Sequence, residues 1–191
     1  MRPRVVFFGT PAFAVPPLAA LTKLADVVSV VCQPDKPVGR GNVVTAPPVK
    51  RFAQEHGIPC LQPVKLRDGV VAQWMRELAL DVAVVVAYGR ILPPDVLAAP
   101  RLGCLNVHAS VLPRHRGAAP IQWSILSGDA ETGVTLMKMD EGLDTGPMLS
   151  IRRTPIDPDE TSPSLSDRLS ATFKNLRGKV VERWDQAGVV R

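Results

Sequence analysis

Asn106 and His108 are the residues of this sequence whose types and spacing could do chemistry together. They end a short apolar run and precede a loop that contains Pro113 and Gly117. Because residues two apart on a strand point to the same face, their side chains are expected to lie side by side. An amide that polarises a carbonyl, next to an imidazole that moves a proton, is typical of acyl transfer.

This pair lacks a group that orients the imidazole and stabilises its cation, and Asp144 is the best such group further along the chain. A purely structural role fits the same residues. Asn106 could cap a strand end, His108 could be a half-buried histidine, and residues 113–117 could form a solvated loop. The residue types alone leave both interpretations open.

The elements that position these residues follow from an alternation of short apolar runs with helical periodicity, which predicts parallel strands joined by helices. Strands are predicted over residues 5–8, 26–32, 60–61, 81–87, 102–108 and 132–139, the last with 148–153 as a hairpin partner. Helices are predicted over residues 15–24, 48–56, 70–80 and 120–126, a helical stripe runs from 164 to about 184, and 33–47 is a long loop. The predicted fold is a single α/β domain, Rossmann-like, with a mostly parallel open sheet flanked by helices.

In open parallel sheets, ligands bind where the carboxyl ends of the strands meet. Residues 9–11, 88–89 and 106–113 and the loop of Asp144 are therefore expected to share one edge. A dinucleotide site is not favoured there, because the turn after the first strand lacks the three glycines of the dinucleotide fingerprint.

Composition favours a globular chain: 46% of its 191 residues are hydrophobic and 21% are charged. No apolar run approaches the roughly 20 residues of a membrane span, and the start does not read as a signal peptide, so a cytoplasmic protein with no membrane association is expected. The three cysteines are expected to be buried thiols and the three histidines are scattered, so no metal is expected. These residues are Cys32, Cys60, Cys104, His56, His108 and His115.

The formal net charge of +5 is modest, and its distribution is more informative than its total. Three basic clusters could contact phosphate or could be ordinary solvated surface. Their members are Lys36, Arg40, Lys50 and Arg51; Arg114, His115 and Arg116; and Lys174, Arg177, Lys179 and Arg183.

Seven stretches in order along the chain resemble the N-terminal catalytic domain of the methionyl-tRNA formyltransferases, over residues 4 to about 170. They are residues 8–16, 33–41, 84–89, 102–108, 116–123, 131–135 and 139–146. The motif around Asn106 and His108 is shared by all folate-dependent formyltransferases. The stretches 33–41 and 118–122 are more specific to the tRNA enzymes.

This resemblance implies direct transfer of a formyl group from 10-formyltetrahydrofolate, as cosubstrate, to the α-amino group of initiator methionyl-tRNA through a tetrahedral intermediate. It implies that Asn106, His108 and Asp144 are the catalytic residues and that no metal takes part. It also implies folate contacts at Ser110, Val111, Leu112, Pro113, Tyr88, Gly89, Leu92 and Asp140. The tRNA-binding loop would include Lys36, Arg40 and Gly41.

The resemblance assigns residues 1–170 to the catalytic domain and 171–191 to a helical tail. Pro147 replaces an aspartate that the family often has, and the tail departs from the family pattern after Ala171. We expect the C-terminal β-barrel domain that helps the family to hold tRNA to be absent, in a truncated product or a natural short form, and tRNA binding to be weaker. A monomer is expected.

Two other functions remain open from the sequence. The chain could formylate a smaller amine, such as an amino-sugar nucleotide, although the intact sequence at residues 39–41 argues against this. It could also be a folate- or tRNA-binding remnant without turnover, although the intact Asn106, His108 and Asp144 argue against that.

Overall fold

A seven-stranded sheet forms the centre of the protein, whose residues 2–172 are described by a computed structural model. Its strands lie in the order β5-β2-β1-β6-β7-β8-β9. Their bounds are β1 Arg4–Gly9, β2 Asp26–Val31, β5 Cys60–Leu61, β6 Val82–Val86, β7 Cys104–His108, β8 Glu131–Lys138 and β9 Met148–Pro155. The first five of these strands run parallel, and β8 and β9 add an antiparallel edge.

The strand order reverses between β1 and β6, so the loops after these two strands diverge. Such a reversal opens a crevice at the carboxyl ends of the strands. β6 is a run of valine and alanine that is buried throughout, as expected for a central parallel strand covered on both faces. The α/β fold predicted from the sequence is confirmed, and β7 ends beside this crevice.

Helices cover both faces of the sheet. Their bounds are α1 Val15–Leu21, α2 Pro48–Glu55, α3 Val70–Glu77, α4 Pro94–Leu97, α5 Pro120–Leu126 and α6 Ser162–Thr172. One buried cluster joins the sheet to α1, α2, α5 and α6, and the other joins it to α3 and α4. Proline occupies the first turn of α1, α2, α4 and α5, where its missing N–H costs no helical hydrogen bond.

The predicted helices are present, but α1 and α3 each end three residues early. After α3, Ala79 takes a left-handed conformation with φ 48°, which stops the helix before β6. The short helix α4 was not predicted, because four residues are too few to show a helical period.

The prediction that residues 33–47 form a long loop is wrong. They contain an antiparallel hairpin of β3 Lys36–Val38 and β4 Val43–Thr45. The turn between them uses Gly39 and Asn42, both with positive φ. Glycine and asparagine tolerate this conformation, and the flanking valines favour strands. The sequence therefore contained features typical of a hairpin.

The helical stripe predicted from residue 164 begins at Ser162, one turn before Leu165. Leu165 and Leu169 are fully buried against the sheet. The remaining members of that stripe and the third basic cluster lie outside the described residues. Within residues 2–172, no helix is long and apolar enough to cross a membrane.

Two of the cysteines that the sequence shows as isolated are neighbours in space. Because β2 and β5 are paired, the Sγ atoms of Cys32 and Cys60 lie 3.6 Å apart. Cys32 and Cys104 are buried, whereas Cys60 is half-buried, so the prediction of buried thiols holds for two of the three.

Gly9 ends β1 at a point where no side chain fits. A Cβ there would lie 2.6 Å from Cε1 of Phe7 and 2.9 Å from Cβ of Ala14. We expect Gly9→Ala to lower the free energy of unfolding by about 1–3 kcal/mol, the usual effect of overpacking. Urea denaturation measures this, with Gly41→Ala as control, because its nearest neighbour would be 3.7 Å away. Equal unfolding midpoints for the two variants would contradict the prediction.

Candidate active site

Asn106 and His108 lie at the carboxyl end of β7, next to β6 on one side and β8 on the other. Asn106 is half-buried, and 6% of His108 is exposed. The strand holds both side chains close to one carboxylate, that of Asp144. The two side chains therefore lie side by side, as the two-residue spacing on a strand predicted.

Asp144 joins the two residues and the loop that follows them. Its Oδ1 accepts a hydrogen bond from Nδ2 of Asn106 at 2.9 Å, and its Oδ2 accepts one from the backbone N–H of Gly117 at 2.8 Å. Oδ2 also lies 3.4 Å from Nδ1 of His108. The Asp144 side chain is 12% exposed and has φ 52°, so the loop between β8 and β9 turns sharply to present this carboxylate.

The other nitrogen of His108 is also occupied. Its Nε2 lies 2.8 Å from the backbone oxygen of His115. A carbonyl oxygen can only accept, so Nε2 carries a proton and donates it. In the neutral ring, Nδ1 is then the nitrogen without a proton, and it lies 3.4 Å from Oδ2 of Asp144.

His115 itself is held by a carboxylate that sequence analysis did not select. Its Nε2 lies 2.6 Å from Oδ2 of Asp129, and Arg114 donates to both oxygens of Asp129 at 2.9 and 2.5 Å. The guanidinium of Arg114, and after it the ring of His115, hold the pKa of Asp129 at about 2, against the cost of burial. The basic cluster in the sequence suggested that Arg114 could be a free surface cation. In the structure, Arg114 forms an ion pair with Asp129 beside the site.

The loop after β7 uses its own polar groups to keep its shape. Thr135 Oγ1 donates to the backbone oxygen of Ser110 at 2.7 Å and accepts from the N–H of Leu112 at 3.1 Å. Ser110 Oγ donates to the backbone oxygen of Arg114 at 2.6 Å, and the Leu112–Pro113 peptide is cis. The side chains of Ser110 and Leu112 are buried, so Val111 and Pro113 are the exposed or half-exposed members of the expected folate segment.

Tyr88, Gly89 and Leu92 follow β6 at the same sheet edge. The ring of Tyr88 is buried edge-on against Phe8, and this burial raises the pKa of its hydroxyl. Its backbone oxygen accepts from Thr10 Oγ1 and Gln33 Nε2, so it ties the loops after β1 and β2 to this edge. Leu92 is buried as well, which leaves Gly89 as the exposed residue of the three.

Asp140 shapes the loop that carries Asp144. Its Oδ1 accepts from the backbone N–H of Gly142 at 3.0 Å and from Thr145 Oγ1 at 2.8 Å. Asp140 itself is exposed.

The hairpin of the expected tRNA-binding loop is anchored at its base. Asp35 pairs with Lys50 at 2.8 Å and accepts from Gln62 Nε2 at 2.7 Å. Lys36 donates to Gln33 Oε1 at 2.8 Å. Lys50 is thus committed to Asp35, whereas Arg40 is exposed near the hairpin turn and has no ion pair within residues 2–172.

The sequence of the chain matches a known protein family. The model of a family described as formyl transferase matches residues 3–180. The chain belongs to the formyl transferase family. Two relatives are methionyl-tRNA formyltransferases: that of Myxococcus xanthus is 64% identical over 183 residues, and that of Sorangium cellulosum is 60% identical over 168 residues. These matches cover 96% and 88% of this chain but 57% and 54% of the relatives, so the chain spans about half of their length.

Solved structures of formyl transferases share the fold. The phosphoribosylglycinamide formyltransferase of Streptococcus pneumoniae is 22% identical, with a TM-score of 0.77 over 95% of this chain and 98% of its own. Glycinamide ribonucleotide transformylase 1 of Symbiobacterium toebii is 17% identical, with a TM-score of 0.80 over 100% of this chain and 91% of its own. At this identity they support the Rossmann-like fold alone.

Metal ligation finds no support within the described residues. No group of three or more histidine, cysteine or acidic side chains in that part of the chain is arranged to hold a metal ion. The donors that meet at the site are instead an amide, an imidazole and a carboxylate, the set expected for proton transfer and carbonyl polarisation.

Proposed function

We propose that this chain transfers a formyl group from 10-formyltetrahydrofolate to the α-amino group of initiator methionyl-tRNA. The observation that carries the proposal is the contact of Asn106 and His108 with the same carboxylate, Asp144. The methionyl-tRNA formyltransferases that are 54–64% identical to this chain support the choice of acceptor. No metal is proposed.

The reaction needs one bond to form and one to break. The amine nitrogen attacks the formyl carbon, the carbon–N10 bond of the folate breaks, and a proton passes from the amine to N10. Negative charge develops on the formyl oxygen in the tetrahedral intermediate. Asn106 Nδ2 uses one hydrogen on Asp144 and keeps a second, which we propose donates to that oxygen.

His108 is proposed to carry the proton. Since the backbone of His115 holds the proton on Nε2, the neutral ring presents the lone pair of Nδ1 towards Asp144. Nδ1 can take the amine proton as the C–N bond forms and return it to the leaving nitrogen. Asp144, which is 12% exposed, stabilises the imidazolium in between, and its low exposure strengthens that attraction.

The folate is proposed to bind along the edge formed by residues 88–92, 110–113 and 140–144. Ser110, Leu112, Tyr88 and Leu92 are buried and shape the backbone there. Val111, Pro113, Gly89 and Asp140 are at least partly accessible and are proposed to contact the pterin. This division of roles refines the contacts that the resemblance implied.

The hairpin of β3 and β4 is proposed to contact tRNA. Lys36 lies near its anchored base, while Arg40 and Gly41 lie near its turn. A guanidinium that has no ion pair within residues 2–172, on a glycine-containing turn, can contact phosphate without first breaking an ion pair in that part of the chain. We further propose that residues 1–170 are the catalytic domain of a monomer that acts in the cytoplasm, since one chain supplies the whole catalytic set.

We expect Arg40→Ala to weaken transfer to tRNA while folate binding stays unchanged. Loss of one phosphate contact should raise the KM for tRNA and lower the salt dependence of binding by about one unit of log slope. KM values at several salt concentrations test this. Arg153→Ala is the control, because Arg153, on β9, is also exposed but pairs with Glu131 on β8. Equal KM values for the two variants would contradict the role of Arg40.

An acceptor screen tests the proposed function directly. Labelled 10-formyltetrahydrofolate is incubated with the protein and either initiator methionyl-tRNA, uncharged initiator tRNA or a dTDP-amino sugar. We expect labelled product only with initiator methionyl-tRNA. Product with the amino sugar alone would favour the small-amine alternative, and folate binding with no product would favour a binding remnant. The sugar 3N-formyl transferase among the solved structures is 19% identical, so it favours neither alternative.

A further inference from the structure

We propose that Asp129 is a positioning residue, which acts through the His115 ring to hold the His115 carbonyl against Nε2 of His108. This inference rests on the proposed function, because it assigns the group that fixes the tautomer of the proposed proton carrier. Asp129 belongs to neither the catalytic set nor the folate contacts implied by the resemblance. It acts on the site through two successive hydrogen bonds of 2.6 and 2.8 Å.

The conformation of His115 needs outside support. Its φ is 55°, in the left-handed region that few residues other than glycine adopt. That conformation turns the His115 carbonyl towards His108 while its ring reaches Asp129. The ring therefore holds the backbone in a state that the isolated loop would populate poorly.

Asp129 is well placed to provide this support. Its side chain is 10% exposed, and Arg114 holds both of its oxygens. Its backbone N–H donates to the oxygen of Ser124 at the end of α5, at 3.1 Å. The backbone of Asp129 is thus fixed to the last turn of α5, and its carboxylate is fixed by Arg114 in the position from which it contacts His115.

The chemical consequence lies at Nδ1 of His108. With the His115 carbonyl in place, Nε2 keeps its proton and Nδ1 is the basic nitrogen. Without that acceptor, the neutral ring can move its proton to Nδ1, where Asp144 accepts it. That tautomer has no lone pair on the Asp144 side, so it cannot take the amine proton there.

The test combines a tautomer measurement with steady-state kinetics on the same proteins. With ¹⁵N-labelled histidine, the ring nitrogen shifts of His108 report which nitrogen is protonated. Asp129→Ala removes the support, and His115→Ala removes the ring but keeps a Cβ, so the positive φ stays unfavourable. Asp129→Asn keeps an oxygen that can accept from His115. Glu131→Gln is the matched control, since its carboxylate pairs with Arg153 on the exposed edge of the sheet.

We expect the Nε2–H tautomer to dominate in the starting protein, in Asp129→Asn and in Glu131→Gln. In Asp129→Ala and His115→Ala, that population falls and kcat drops by up to about 100-fold, a loss typical of a misplaced catalytic group. The KM for 10-formyltetrahydrofolate should change less than kcat. Because His115→Ala leaves Asp129 and Arg114 intact, it tests the inference if Asp129→Ala fails to fold.

An unchanged tautomer in both disruptive variants would overturn the inference, even if kcat fell, because the loss would then be structural. Failure of the proposed function has a different signature. In that case the tautomer responds to Asp129→Ala and His115→Ala, but no protein, including the unmodified one, formylates initiator methionyl-tRNA.

Discussion

Asp144→Asn is expected to lower kcat/KM for formyl transfer by about 10³–10⁴, by analogy with the aspartate that orients the histidine of serine proteases. The two oxygens of Asp144 accept hydrogen bonds from the N–H groups of Asn106 and Gly117, and Oδ2 also lies 3.4 Å from Nδ1 of His108. An asparagine replaces one oxygen with an NH₂ group, so a donor then faces a donor. The negative charge that stabilises the imidazolium is lost as well.

The fold should tolerate this change, because asparagine accepts the positive φ that Asp144 adopts. Glu131→Gln is the control: it removes a carboxylate from an exposed position on β8, outside the proposed folate edge, and should leave kcat/KM nearly unchanged. Both variants are compared in the tRNA assay after their unfolding midpoints are shown to match. Retention of more than about a tenth of the activity in Asp144→Asn would be inconsistent with the proposed role.

Asn106→Ala is expected to lower kcat by about 10²–10³, the usual loss when one oxyanion donor is removed. The effect should fall on kcat rather than on the KM for folate, because the formyl oxygen gains its charge only as the tetrahedral intermediate forms. Residual activity should remain, since His108 and Asp144 keep their contact and His115 still holds Nε2.

Single-turnover kinetics with saturating 10-formyltetrahydrofolate separate the chemical step from binding. Gln73→Ala is the control and should leave the rate unchanged. It removes an exposed amide on α3, a helix that contributes no residue to the proposed site. A raised KM with an unchanged single-turnover rate in Asn106→Ala would show that the amide binds the ground state and does not stabilise the oxyanion.

The sheet and the side-by-side placement of Asn106 and His108 could be predicted because both depend on local features of the sequence. The buried valine run of β6 and the two-residue spacing of Asn106 and His108 on β7 need no long-range information. Asp144 was selected by chemical type, and its contact with both residues depends on the antiparallel turn between β8 and β9.

The support behind His108 could not be predicted in the same way. The acceptor at Nε2 is a backbone oxygen, which every residue carries, and its direction depends on the left-handed conformation of His115. The ring of His115 contacts Asp129, which lies 14 residues further along the chain, after α5. The basic cluster around Arg114 therefore looked like free positive charge until the fold placed this carboxylate beside it.

The most direct measurement is formyl transfer from 10-formyltetrahydrofolate to initiator methionyl-tRNA, with His108→Ala assayed in parallel and folate binding measured for both proteins. We predict transfer by the starting protein, and a loss of about 10²–10⁴ in His108→Ala with folate binding retained, as expected when a general acid–base is removed. Folate binding by both proteins with no transfer by either, or equal transfer by both, would contradict the account.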